Sequence, residues 1–257
     1  MNWYKRLYIY RLLKKYAIAN HIWLEITGQL PLIKALTASE KAELRVLATL
    51  FIHQKKISAV KGLQLTPRMK VVIAAQACLP ILNLGLQSYQ GWHEIILYPG
   101  AFVVDRETHD ESGLVSSNRS ALSGEAWDRG PVILSWEDVE RDSFNLRPGK
   151  HVVIHEFSHK LDMLNGRANG MPPLHPNMSL ENWTESLSKA YQQLIERVDD
   201  QQAVINSYAV TNPAEFFAVF CEYFFTAPDI LLHIYPDVFD QLKQYFRQNP
   251  LQRIGSY

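Results

Sequence analysis

Cysteine is scarce. The two in 257 residues, Cys78 and Cys221, fit no disulfide framework, zinc knuckle or redox pair. Each sits in an apolar helical context, so both read as buried free thiols of a protein kept in a reducing compartment, the cytoplasm. An excess of either charge is also lacking. With 26 basic and 26 acidic side chains the formal net charge is zero, which argues against direct nucleic-acid binding. There is no internal repeat, low-complexity tract or linker, and no apolar run long enough to span a membrane. At 47% hydrophobic and 20% charged, the composition is that of an ordinary globular protein, one domain or two lobes sharing a cleft.

Acid is absent before Glu25, whereas Lys5, Arg6, Arg11, Lys14 and Lys15 interleave with Trp3, Tyr4, Leu7, Tyr8, Ile9, Leu12 and Leu13. Without an uninterrupted apolar core this segment is neither a signal peptide nor a membrane span. The expectation is a helix that packs its aromatic face on the body, and no membrane partner. The other reading of such a helix is contact with a membrane surface or an acidic partner.

What is present is His155-Glu156-Phe157-Ser158-His159, a His-Glu-x-x-His pattern. On a helix the two histidines stand one turn apart on one face, where both imidazoles reach one metal ion. Glu156 beside them can touch a water without ligating the metal. This is the minimal apparatus of a zinc hydrolase. Chance yields the pattern in roughly two of a hundred chains of this composition, so context must decide against an ordinary amphipathic helix. Val152, Val153, Ile154, Phe157 and Leu161 surround the motif, and Asn165-Gly166 supplies a helix stop. A helix apolar on most of its circumference is buried, and unpaired buried polar groups cost about 1–3 kcal/mol each. One metal ion would satisfy all three polar side chains.

A catalytic zinc takes three protein ligands and an open position. The pattern with a third histidine six residues after the second fails, because Asn165 stands there. The remaining candidate is a downstream glutamate. Asn212-Pro213 is a good helix start, and Glu215 follows in the first turn among Phe216, Phe217, Val219 and Phe220. A carboxylate in that setting calls for a partner, so Glu215 is the candidate third ligand. Asn212-x-x-Glu215 also reads equally well as a plain capping pattern. Glu222, seven residues on, shares that face and suits a histidine N–H acceptor better than a ligand. Asp162, three residues after His159, is read as another outer partner, with a surface aspartate the alternative. Tyr208 is a candidate oxyanion donor or a packing residue.

The spacing predicts helices over 37–54, opened by a Thr37-x-x-Glu40 capping box, and over 67 to about 84. Residues 92–104 read as strand, turn or bulge, strand, with Pro99 marking an edge that could pair with an extended substrate. Residues 105–124 read as a loop or loose hairpin and 131–136 as a strand turning into a helix. The motif helix covers about 150–164, and helices fill the remainder. The fold class is α+β. The apolar segment 228–257 follows the helix of Glu215 and is placed in the chain to cover a cleft.

The stretches GWHEIILYPGAFVV, GPVILSW, HEFSHKLDMLNG and YAVTNPAEFFAVFCEYFF, with the closing NPLQR, resemble the Mlc titration factor A family over nearly the whole chain. The resemblance is weakest in the first twenty or so residues. It implies a gluzincin-type, zincin-like metallopeptidase fold related in its core to the catalytic domain of anthrax lethal factor. The expected organisation is a single domain, 1–257, with a helical and sheet lobe to about 165 and a helical lobe beyond. It also implies one zinc ion on His155, His159 and Glu215, Glu156 as the catalytic glutamate and Tyr208 near the metal. Aminopeptidase-like activity on peptides follows, as does binding of the glucose repressor Mlc, a cytoplasmic protein, which relieves repression of glucose phosphotransferase genes.

Overall fold

The computed structural model of the chain describes residues 3–100, 102–109, 115–122, 124–126 and 130–253. Four helices come first: α1 (Trp3–Tyr16), α2 (Asn20–Thr27), α3 (Pro31–Lys34) and α4 (Ala38–Gln54). Strand β1 (Lys56–Ala59) and helix α5 (Pro67–Cys78) follow. Then come β2 (Glu94–Tyr98), β3 (Phe102–His109), β4 (Val115–Leu122), β5 (Gly124–Ala126) and β6 (Val132–Ser135). The chain closes with α6 (Trp136–Phe144), α7 (Val152–Asp162), α8 (Leu180–Asp199), α9 (Pro213–Thr226), α10 (Pro228–Ile234) and α11 (Pro236–Phe246). The architecture is α+β, and one buried apolar cluster runs from Ile18 to Phe246.

The main sheet has the order β1-β2-β6-β5, with β1, β2 and β6 parallel and β5 antiparallel at one edge. Ile95 pairs with Val132 and Leu97 with Leu134, and all four are fully buried. Alternation along β2 thus commits one face of the sheet to the core. Strands β3 and β4 form a separate antiparallel pair from Phe102↔Leu122 to His109↔Val115.

Local signals fixed several boundaries. Thr37 Oγ1 accepts from the Glu40 N–H at 3.2 Å and Glu40 Oε2 accepts from the Thr37 N–H at 2.8 Å, closing the capping box. Asn212 Oδ1 accepts from the Glu215 N–H at 3.0 Å and Pro213 opens α9.

Other expectations are corrected. Helix α5 ends at Cys78 rather than near residue 84, because Pro80 cannot continue it. Strand β1, a run of four residues, is too short for its alternation to be read. Pro99 does not mark an edge. Strand β2 is paired on both sides, and Pro99 lies just beyond it, where its carbonyl accepts from the Glu137 N–H at 3.2 Å. The edges of this sheet are β1 and β5. On α1, Leu12 is buried and Trp3 and Tyr10 are exposed, while the Tyr16 ring stacks 4.9 Å from that of His53 on α4; the rest of the expected aromatic face, Tyr4 and Tyr8, lies outside the described side chains. The segment after α9 is described as far as Arg253, and its apolar residues pack on that helix. Its Phe246 stacks on Phe224, its Phe239 packs tilted against the same ring and its Tyr245 meets Phe217 edge to face, on the side of α9 opposite Glu215. Among the described residues, no helix is long and apolar enough to cross a membrane.

Candidate metal centre

Helix α7 is held by its burial and by its first turn. Val153, Ile154, Phe157 and Leu161 are fully buried. Phe157 lies within 5.1–5.7 Å, centroid to centroid, of Phe51, Tyr89 and Trp92. Burying a side chain of that size contributes about 1.5–3 kcal/mol. At the N-terminus, Asp142 Oδ2 accepts from the Val152 N–H at 3.1 Å and His151 Nδ1 from the Ile154 N–H at 3.4 Å. Two residues before the cap, Gly149 has φ +63°, and a Cβ there would stand 2.0 Å from the Tyr223 ring. Glycine is required, and the contact seats the entry to α7 directly on α9.

Neither Asp142 nor His151 stood out in the sequence. Aspartate contacts ten residues away carry no local signature, and histidine is an uncommon cap. Burial lowers His151 from the ordinary 6.5 to about 4. An unfolded chain takes up this proton near pH 6.5, whereas the folded one resists until about pH 4. Stability should therefore fall as pH drops through that window, by a ceiling of roughly 3 kcal/mol. His151→Asn keeps a capping oxygen and should flatten the difference in urea midpoint between pH 7 and pH 5. An unchanged pH slope would remove His151 as its source.

Helix α9 crosses α7 so that three donors converge. His155 Nε2 is 3.0 Å from Glu215 Oε2, His159 Nε2 is 3.4 Å from the same oxygen, and the two nitrogens are 3.3 Å apart. All the ligand atoms of this trio lie within 4.8 Å of one another, the one such cluster among the described residues. A tetrahedral ion with bonds of ~2.0–2.1 Å separates its ligands by about 3.3–3.4 Å, so the triangle already has the size of one face of its coordination shell.

The electrostatics suit a cation. Burial pushes the Glu215 carboxyl up, but hydrogen bonds and charge from His155 and His159 hold it well below the usual carboxylate range. Burial lowers His159, favouring the neutral imidazole that a metal needs. Burial also opposes charge on His155, yet the Glu222 charge and the bonds to Glu215 and Glu222 raise it well above its ordinary value. Two carboxylates thus face one imidazole, a surplus of negative charge that a divalent ion would neutralise.

Glu222 Oε1 stands 2.8 Å from His155 Nδ1, and Glu222 Oε2 accepts from the His151 N–H. That carboxylate fixes the tautomer, turning Nε2 toward Glu215. Glu222→Gln should weaken metal binding ~10–100-fold, the usual cost of an outer partner, in a competition titration against a chelator. Affinity unchanged within error would make Glu222 dispensable for the site.

Glu156 is buried beside the first histidine. Tyr208 is 45% exposed at the rim, its ring 6.1 Å from that of His155. Asp162 is placed differently from the expectation. Its Oδ2 accepts from the N–H groups of Asn169 and Gly170 at 2.8 and 2.7 Å, and His159 Nδ1 is buried without a hydrogen-bond partner among the described residues. Backbone donors of the loop that follows α7 hold the carboxylate.

The family model for the glucose-regulated metallo-peptidase M90 matches residues 2–247. A protein of Salmonella arizonae named Mlc titration factor A is 43% identical over 240 residues, covering 92% of this chain and 94% of the relative. Those of that name from Salmonella typhimurium and Klebsiella pneumoniae are 42% and 41% identical over 229 residues, 88% of this chain and 85% of each relative. A buried His-Glu-x-x-His helix, a carboxylate brought onto both imidazoles and a match over nearly the full length agree: the chain belongs to the glucose-regulated metallo-peptidase M90 family.

Proposed function

We propose that the chain is a zinc-dependent peptidase with aminopeptidase-like action, built as one zincin-like domain whose lobes, 1–165 and 166–257, flank the cleft. The observation that carries this reading is the convergence of His155, His159 and Glu215 beside Glu156. All are nitrogen or oxygen donors, and no cysteine takes part, which suits a catalytic zinc with three protein ligands. When bound, zinc supplies Lewis-acid polarisation of a carbonyl and a lowered pKa for water.

The chain's own groups do the remainder. Glu156 takes the proton of the attacking water and returns it to the leaving amine. Tyr208 donates its hydroxyl to the developing oxyanion from the cleft rim. Glu222 holds the His155 ring, so that nitrogen is not lost to rotation. The outer side of β5 is the sheet edge on which an extended peptide can add its backbone.

The relatives' name speaks of titrating Mlc. It supports a second role for this chain, in the cytoplasm: binding a glucose-responsive repressor and so modulating glucose phosphotransferase genes. The alternative is a mainly protein-binding regulator with a secondary or partner-activated zinc site.

Hydrolysis of a panel of aminoacyl and internally quenched peptides by zinc-loaded protein tests the main reading. Turnover, with aminoacyl substrates preferred, is the expected result. No turnover from zinc-bound protein, with and without the repressor, would overturn it and leave the binding regulator.

A further inference from the structure

Between the motif helix and the helix of Glu215 lies a loop whose contacts form a continuous mechanical link. Asp162, the last residue of α7, is fully buried. Its Oδ2 receives two backbone N–H groups, from Asn169 at 2.8 Å and Gly170 at 2.7 Å. The loop is braced again at its next residue, where the Asn165 side chain donates to the Met171 carbonyl at 3.0 Å. Trp183 Nε1 on α8 donates to the Gly170 carbonyl at 3.4 Å. Gly170 itself has φ +78°, and a Cβ added there would stand 2.6 Å from the Pro213 carbonyl oxygen and 3.2 Å from its carbon. The loop backbone therefore rests on Pro213, the first residue of α9, two residues before Glu215.

We infer that Asp162 is a positioning residue for the third metal ligand: its carboxylate clamps Asn169 and Gly170, and Gly170 sets the first turn of α9 so that Glu215 reaches both imidazoles. The link starts about one turn after His159 and ends two residues before the carboxylate it serves, so it ties the two ligand-bearing helices at the site itself. Metal bonds tolerate about 0.2 Å, and a supporting group left loose by an ångström disables a site. A clamp of two N–H bonds to a carboxylate is stiff, since charge-assisted bonds are roughly twice as strong as neutral ones. The buried position of Asp162 is then explained. A carboxylate there is costly, and burial raises it to about 6 against the pull of the loop N–H groups.

The inference rests on the reading of His155, His159 and Glu215 as a zinc site, and the test separates the two. Zinc affinity of the full chain would be measured by competition with a chromophoric chelator for wild type, Asp162→Asn, Gly170→Ala, Trp183→Phe and, as a distant core control, Leu44→Ala. Zinc-edge X-ray absorption would report the ligands. Asp162→Asn and Gly170→Ala should each weaken zinc ~10-fold or more, the range of outer-partner losses. Both should replace a carboxylate oxygen by water at unchanged histidine count. Trp183→Phe, the mildest change, should weaken it ~2–3-fold. Leu44→Ala, destabilised away from the site, should keep wild-type affinity and spectrum. If the site variants keep wild-type affinity, or lose it only as Leu44→Ala does, the positioning role is overturned. If the two stronger variants fail to fold, Trp183→Phe decides by the same two readouts. A wild-type chain that takes up no zinc overturns the metal reading, and this inference with it.

Discussion

Glu156→Gln is expected to keep its zinc and lose its hydrolysis. The substitution preserves size and burial but removes the carboxylate proposed to carry a proton between the attacking water and the leaving amine. General acid–base catalysis by one side chain is worth ~10²–10⁴-fold, so turnover on the peptide panel should drop by at least ~10²-fold. Zinc should stay, because the proposed donors are His155, His159 and Glu215, and Glu156 is not among them. The measurement is steady-state turnover alongside zinc content by atomic absorption. Undiminished turnover would remove Glu156 as general base. Loss of zinc together with activity would mean that Glu156 helps to build the site.

Glu215→Ala is expected to cost the metal itself. Removing one of three protein ligands should weaken zinc by more than the ~10–100-fold of an outer partner. The loss is also visible as stability. With zinc at a thousand times its Kd, the wild-type fold gains about 4 kcal/mol, whereas a hundredfold weaker site at the same zinc gains about 1.4 kcal/mol. Thermal scans with and without zinc would show the difference, at roughly 2–4 °C per kcal/mol for a chain of this size. Should zinc stay bound to Glu215→Ala at nanomolar free metal, Glu222 is the ligand and the outer role passes to another group.

Each rests on a geometry that the sequence supplied in unequal parts. His155 and His159 are a local matter: i and i+4 on a helix share a face whatever the surroundings, and the apolar residues between them announced the burial. The start of α9 was equally legible, since Asn212 and Pro213 have the chemistry that a helix N-terminus requires. The 105–124 segment was legible only as a choice between loop and hairpin, because polar strands carry a weak alternation; β3 and β4 resolve it as a pair.

By itself, then, the sequence determined the pieces whose geometry the chain alone dictates: the histidine pair, the glutamate beside it, the capped helix starts and the α+β order. The roles of Glu215, Glu222 and Asp162 were decided only by tertiary structure. Seven residues bring a helix back to within ~20° of the same face, so Glu215 and Glu222 are indistinguishable by spacing. Their division between the two nitrogens of one imidazole, across 60 and 67 residues, follows from where α9 crosses α7. Asp162 points the same way as a metal partner would on a helical wheel. It serves the loop instead, where its Oδ2 accepts from the backbone N–H groups of Asn169 and Gly170.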